Sequence, residues 1–338
     1  MRYNFIQSAK MSLKIIKAGI LDTIQDGGRT GYRHLGINPS GAMDRFSAQL
    51  SNALLGKELQ EPVIEMHFPA SAFLFQQTTI ACLAGADFSA AINEQNIPLH
   101  QPFLVKENSK LKVTGLVGGA HCYLSLLQGL QVDEWLQSAS TNLKAIAGGW
   151  HGRKLQKDDC IPYKKPIDVS GLSTKESFQI LHWKASSPKI DKNISVIEGN
   201  EWDWLTLEAQ ISFQDSNFSI SNLSDRMGYR LYGEELITEK NAQLVSSAVD
   251  FGTIQLLPNG QLIILMADHQ TTGGYPRLAH VCSTSLPSIA QLKPNDEIRF
   301  RVITLQQAQD SLMQQQKYLE QLRNACKLKI ENLLHAPM

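Results

Sequence analysis

Short alternating or wholly apolar runs separated by polar turns dominate the chain, a pattern that predicts strands far more often than helices. In the first half these runs fall at 63–68, 72–75, 79–83, 88–92, 102–105, 110–113 and 122–127, after a brief alternation in Leu13-Lys14-Ile15-Ile16. Strand character resumes at 177–182 and 194–198. One clear helix is predicted over 44–55, where Phe46, Leu50 and Leu54 recur at four-residue spacing behind Asp44 as N-cap, and Gly56 ends it. The tail from 305 to 334 repeats Leu305, Ala308, Leu312, Leu319, Leu322, Cys326, Ile330 and Leu333 at helical spacing, which predicts an amphipathic helix packed on a domain surface. Many short strands with few helices predict a mainly β protein built of barrels or sandwiches. A composition shift at 147–166, glycine-rich and then charged, marks a junction between β domains at 13–165 and 166–303. Residues 304–338 then form the C-terminal helix, and residues 1–12 read as a disordered leader or as an over-extended start ahead of Met11.

The second half echoes the first. Arg226-Met227-Gly228-Tyr229-Arg230-Leu231-Tyr232-Gly233 matches Arg29-Thr30-Gly31-Tyr32-Arg33-His34-Leu35-Gly36 at the R-x-G-Y-R-x-x-G positions. Asn295-Asp296-Glu297-Ile298-Arg299-Phe300 repeats the pattern of Asn108-Ser109-Lys110-Leu111-Lys112-Val113 in the same order. Together they suggest duplication of one β-rich unit, with the two arginine-glycine turns in equivalent places.

The most distinctive stretch follows the apolar run 262–266 and reads Ala267-Asp268-His269-Gln270-Thr271-Thr272-Gly273-Gly274-Tyr275-Pro276-Arg277. It has the form of a buried strand opening into a polar loop. Either its side chains cap their own backbone in a tight turn, or Gly273 and Gly274 let backbone N–H groups turn toward a ligand. The first half's counterpart, Ala84-Gly85-Ala86-Asp87-Phe88, lacks the Gln-Thr-Thr-Gly-Gly donors. That contrast favours a ligand-facing loop, with Arg29 and the turn from Ser40 to Asp44 as companions.

Composition narrows the function. With 338 residues and 43% hydrophobic content the chain can bury two cores, and 32 basic against 32 acidic residues leave no net field for nucleic acid or an anionic membrane. Five scattered cysteines without C-x-x-C spacing argue against disulfides and zinc ribbons. No run approaches the roughly 18 apolar residues of a membrane span, and a reduced cytoplasmic setting is expected. There is no P-loop, no strand-linked G-x-G-x-x-G and no G-x-S-x-G elbow. Cys82, Cys122 and Cys282 lie in strand-like runs as core residues, and no H-x-H or H-E-x-x-H grouping points to a metal. What remains suits an anionic, carbonyl-containing substrate. Arg29 and Arg226, with Arg33 and Arg230 further along, offer planar forks for a carboxylate. Thr271, Thr272 and the Gly273-Gly274 backbone offer donors to an oxyanion, and Asp268 and Asp44 are acid/base candidates.

On Gln25-Asp26-x-Gly28-Arg29-x-Gly31 with Ser40-Gly41-Ala42-Met43-Asp44, on Arg226-Met227-Gly228-Tyr229-Arg230-Leu231, on Gly252-Thr253-Ile254-Gln255 and on Asp268-x-Gln270-Thr271-Thr272-Gly273-Gly274-Tyr275-Pro276, the sequence resembles the biotin-dependent carboxyltransferase A/B-subdomain family. Ser140-Thr141, Gly148-Gly149 and Gly152-Arg153-x-Leu155 extend the likeness, which runs from about Leu13 to Phe300. The family includes the C component of the prokaryotic ATP-dependent 5-oxoprolinase, allophanate hydrolase subunit 2 and the kinase-inhibitor antagonist KipA. The resemblance implies tandem cyclophilin-like β-barrels with a few short helices. It also implies partners: a KipI-like B component bound directly and a LamB/YcsF-like A component, together cleaving 5-oxoproline to glutamate with ATP acting at the level of the complex. The alternatives that it carries are the carboxyltransferase half of a urea carboxylase system with biotin supplied in trans, and a non-catalytic KipA-like antagonist. Gly41-Ala42-Met43-Asp44 lacks the lysine of a biotin-attachment segment, so no covalently attached biotin is expected on this chain. Glu198-Gly199-Asn200-Glu201 stands where many members have Gly-Pro-Gln. Motif and chemistry together make Asp268, Thr271 and Thr272 the catalytic candidates. Arg29, Ser40, Asp44, Arg226, Tyr229, Gln255, Gln270, Gly273, Gly274 and Tyr275 are the substrate-binding candidates, and no metal ligand is expected.

Overall fold

Alternation along Ser12–Lys17 sets the pattern: Leu13 and Ile15 are fully buried, while Lys14 and Ile16 between and beyond them are partly exposed. The computed structural model of the chain describes residues 11–167, 169, 172, 176–240 and 244–335. Residues 1–10, and with them most of the expected leader, lie outside the described residues, and Ser12 already opens a strand. The protein is mainly β and falls into two units. The first comprises the chain up to Gly28, Arg45–Pro188 and the chain from Lys317 onward; the second comprises Arg29–Asp44 and Lys189–Gln316.

In the first unit two six-stranded antiparallel sheets face one core. One runs Cys160–Pro162, Ser12–Lys17, Ala72–Phe75, Lys110–Val113, Ala90–Ile92, Gln95–Asn96, and the other Phe178–Ile180, Phe103–Val105, Thr79–Asp87, Gly118–Leu126, Val63–Met66, Thr23–Gln25. Phe73, Phe75, Leu83, Phe103 and Leu124, all fully buried, fill the space between them. The helix Arg45–Leu54 buries Leu50 and Leu54 against Leu319, Cys326 and Ile330 of the long helix Leu305–His335. The glycine-rich segment is no linker between units. Gly148, Gly149 and Gly152 take φ of 71°, 62° and 65° inside the first unit, and a Cβ on Gly149 would lie 2.0 Å from Thr141 Oγ1. Because Phe178–Ile180 still pairs with Phe103–Val105, the units part after Pro188 rather than at 165/166.

The second unit is a closed seven-stranded barrel, in the order Asn193–Glu198, Arg277–Val281, Thr253–Leu256, Leu262–Leu265, Gly228–Tyr232, Phe218–Ile220, Glu297–Val302. One parallel pair, Asn193–Glu198 with Glu297–Val302, closes it. Phe213 from the helix Leu207–Asp215 stacks on Phe300 with centroids 4.6 Å apart, and Trp202 meets Phe213 edge-on at 5.2 Å. Thr206 caps that helix through its Oγ1, which accepts the Ala209 N–H at 3.2 Å. The two sequence echoes fare differently. Asn108 and Asn295 both take left-handed φ, 67° and 70°, just before the strands Lys110–Val113 and Glu297–Val302. By contrast, the arginine-glycine segments are not structural equivalents. Residues 228–232 form a barrel strand, whereas 29–36 is irregular with a 3-10 turn at Arg33–Leu35 and left-handed glycines at 31 and 36, and it belongs to the second unit.

Candidate functional site

The strand Leu262–Leu265 runs on through buried Met266 and Ala267 and delivers Asp268 to the end of the barrel. There the Asp268 carboxylate accepts three hydrogen bonds. Its Oδ2 accepts from Arg226 Nε at 2.8 Å, and its Oδ1 accepts from Ser40 Oγ at 2.7 Å and Arg226 Nη2 at 3.3 Å. Burial pushes its pKa up, yet the Arg226 charge, the hydrogen bonds from Arg226 and Ser40 and the nearby charge of Arg29 outweigh that effect and hold it below the usual carboxylate value. A carboxylate so held is a poor proton carrier. In this arrangement Asp268 anchors the chain, held by Arg226 and Ser40.

What Asp268 positions is the 29–44 segment. Asn38 Nδ2 donates to the Asp268 carbonyl at 3.2 Å, Arg226 Nη2 donates to the Gly41 carbonyl at 2.8 Å, and Gln291 Nε2 donates to Asp44 Oδ2 at 2.7 Å. Arg33 Nη1 reaches the Val249 carbonyl at 3.2 Å and the Asp250 carboxylate at 2.8 Å. Ser40 has a φ of 57° and Gly41 of 101°, so the chain turns through two left-handed residues in front of the carboxylate. Arg29, Ser40 and Asp44 are all buried. The Nε and Nη2 donors of Arg226 serve an internal carboxylate and a backbone carbonyl.

The loop beyond Asp268 forms one side of a small two-stranded ribbon. Thr272–Gly273 pairs with Ser247–Ala248, and Val249 N–H donates to the Thr271 carbonyl at 3.2 Å. Gly273 and Gly274 are absent from the left-handed residues, so they build no anion-binding nest. They permit close packing instead: a Cβ on Gly273 would lie 2.6 Å from Gln255 Nε2, and one on Gly274 3.2 Å from the Leu244 carbonyl. The Thr271 carbonyl is taken by the Val249 N–H, and Thr272 lies in the strand pairing with Ala248.

Two clefts of the second unit share Leu257, Pro258 and Tyr275. The smaller, about 520 Å³, is lined among others by Asp225, Arg230, Gln255, Asn259, Gln270 and Tyr275. The larger, about 730 Å³, takes Lys240, Ser246, Thr272, Gly273 and Gly274. Both volumes suit small ligands. Gln255 is buried, donates from Nε2 to the Tyr275 carbonyl at 3.3 Å, and keeps a buried Oε1 with no hydrogen-bond partner. Tyr229, expected to bind substrate, points into the barrel core; its neighbour Arg230, one residue on and exposed, lines the cleft. Strand alternation makes that exchange inevitable.

The remaining motif residues gather in the first unit. Asp26 accepts from Ser138 Oγ at 2.7 Å, the Ala139 N–H at 2.6 Å and the Gly28 N–H at 2.8 Å, while Thr141 Oγ1 donates to the Ile24 carbonyl at 2.9 Å. Cys82 and Cys122 are buried, and desolvation raises both thiols, as core cysteines require. Pattern reading missed Glu65, His67 and His121, whose ligand atoms all lie within 4.8 Å of one another. The signal was cross-strand rather than linear, Glu-x-His in the run expected at 63–68 facing His-x-Tyr, whose His121 lies just ahead of the run expected at 122–127. Among the described residues no helix is long and apolar enough to cross a membrane.

The sequence pattern of the carboxyltransferase domain, subdomain A and B, matches residues 35–302. The chain is 33% identical over 310 residues to the C component of the Escherichia coli 5-oxoprolinase, covering 92% of this chain and 97% of that protein. It is 32% identical over 307 residues to its namesake of Haemophilus influenzae, covering 89% and 94%. The crystal structure of the K. lactis urea amidolyase superposes with a TM-score of 0.83 at 25% identity over 92% of this chain, although this chain spans only 20% of that one.

Proposed function

Because the chain belongs to the family of carboxyltransferase domains, subdomain A and B, we propose that it is the C component of an ATP-dependent 5-oxoprolinase. One observation carries the reading: identity of 32–33% that runs along nearly the whole of two proteins so named. By this reading it works with the KipI-like and LamB/YcsF-like components, and ATP is consumed by the complex. The chemistry of the 520 Å³ cleft supports it. 5-Oxoproline is a small lactam bearing a carboxylate. Arg230 offers a guanidinium for the carboxylate, and the amides of Gln255, Gln270 and Asn259 offer donors and acceptors for the ring N–H and carbonyl. The Gln255 amide, which lines the cleft, is the group to which the lactam N–H is assigned. Ser40, Arg226 and Asp268 hold the adjoining 29–44 segment and do not touch substrate.

Adding the purified chain to active KipI-like and LamB/YcsF-like components should give ATP-dependent release of glutamate from 5-oxoproline, and no release would overturn the reading. A second reading, a carboxyltransferase half acting on a urea-derived group, draws on the urea amidolyase likeness. Turnover of carboxybiotin by the assembled proteins, with 5-oxoproline left intact, would replace the first reading by the second.

A further inference from the structure

We infer that the first unit carries a binding site for a first-row divalent transition metal, made by Glu65, His67 and His121. The strand Val63–Met66 lies antiparallel to Gly118–Leu126 with Met66 opposite Cys122 and Glu65 opposite Tyr123, which sets His67 opposite His121. The second of these strands is hydrogen-bonded on its other side to Thr79–Asp87, in regular register from Cys122 to Leu126 and with an irregularity between Gly118 and Cys122. Residues 65 and 67, and 121 and 123, each project to one face at period two, and the four side chains form a square on that face.

One carboxylate and two imidazoles are a donor set that zinc and its neighbours accept, and three protein ligands leave positions for water. Bonds of roughly 2.0–2.2 Å place two ligands of one tetrahedral ion about 3.4 Å apart. The ligand atoms lie within 4.8 Å of one another, so binding requires the side chains to draw in toward the ion. The surrounding groups orient the ligands. Tyr123 Oη donates to Glu65 Oε2 at 2.8 Å, and Asp22 Oδ1 accepts the His67 backbone N–H at 3.0 Å. The two imidazole rings stand edge to face with centroids 4.6 Å apart, close enough for both to reach one ion. Glu65 and His121 are buried, while His67 is partly exposed and gives the ion its way in. None of these residues belongs to the second-unit clefts, so the inference stands whether or not the proposed function does.

The test is calorimetric titration of Zn²⁺ into the full chain stripped by a chelator. Binding of about one equivalent is expected. His67→Ala and His121→Ala should each weaken it by more than the roughly 10–100-fold typical of losing a residue that only orients a ligand, and Tyr123→Phe by an amount within that range. His151→Ala, which removes an exposed histidine of the same unit, should change nothing. Circular dichroism of each variant controls for folding. Should a variant fail to fold, Co²⁺ added to the unaltered chain gives a second readout, visible bands of low-coordinate Co²⁺ with imidazole ligands. Absence of Zn²⁺ binding, absence of those bands, or equal binding by a folded His67→Ala/His121→Ala double variant would overturn the site.

Discussion

Ser40 Oγ donates to Asp268 Oδ1 at 2.7 Å, and this one bond joins residues 228 positions apart within the second unit. Ser40 holds a left-handed φ of 57° to make it. Hydrogen bonds to charged groups contribute about 1.5–3 kcal/mol, so Ser40→Ala should destabilise the second unit by about that amount. Ser40→Gly loses the same bond but relieves a left-handed backbone worth roughly 1–2 kcal/mol, and should lie closer to the wild type. Urea unfolding of the two variants followed by tryptophan fluorescence gives the order; equal losses would show that φ carries no strain.

Arg226 supplies the other half of the clamp through two bonds to Asp268 and one to the Gly41 carbonyl. Both partners are mostly buried, with side-chain exposures of 10% and 19%. Arg226→Ala strands a carboxylate and should cost about 3–5 kcal/mol, whereas Arg226→Lys keeps the charge without the fork and should cost less. Thermal unfolding of both variants tests the ranking.

The depressed pKa of Asp268 has a sign. Its folded value lies below its ordinary 3.8, so the unfolded chain binds the proton first. Its contribution is complete above the ordinary value and is lost as pH falls through the lower folded value. Asp268→Asn should therefore be less stable at neutral pH and show a shallower loss of stability below about pH 4. Stability measured from pH 7 down to 2.5 checks this, and parallel curves would contradict it.

The sequence made much of this visible. Ala72–Phe75 and Lys110–Val113 fall where alternation places them, and the helix Arg45–Leu54 sits within the predicted 44–55. The helix Leu207–Asp215 escaped because only Ala209 and Phe213 are buried, too few for a 3.6-residue period to register. The loop at Asp268 was legible as a place, but the roles within it were not. Whether a buried carboxylate carries protons or anchors chain depends on what faces it, and Arg226 and Ser40 come to it over distances no local pattern encodes. Two-residue alternation likewise decided that Arg230, not Tyr229, reaches the cleft.

Gly273 and Gln255 are coupled by contact, since a Cβ on the glycine would meet Gln255 Nε2 at 2.6 Å. Gly273→Ala should displace the glutamine at a cost of about 1–3 kcal/mol. Gln255→Ala in the same chain should recover most of that loss. A double-mutant cycle on stability measures the coupling, and strict additivity would contradict the contact.

Arg230 is assigned to the substrate carboxylate. In the reconstituted reaction Arg230→Ala should lower kcat/KM for 5-oxoproline by about 10–100-fold, matching the loss of a charged hydrogen bond of roughly 1.5–3 kcal/mol. Arg230→Lys should fall between. An unchanged kcat/KM would move the carboxylate to another group.

Glutamate formed from 5-oxoproline by the purified KipI-like and LamB/YcsF-like components tests the central claim most directly. The assay is run with ATP and with either this chain, the Escherichia coli C component or neither. Release is predicted with this chain and with the Escherichia coli protein, but not when both are omitted or when ATP is withheld. Release with the Escherichia coli protein and none with this chain would contradict the assignment.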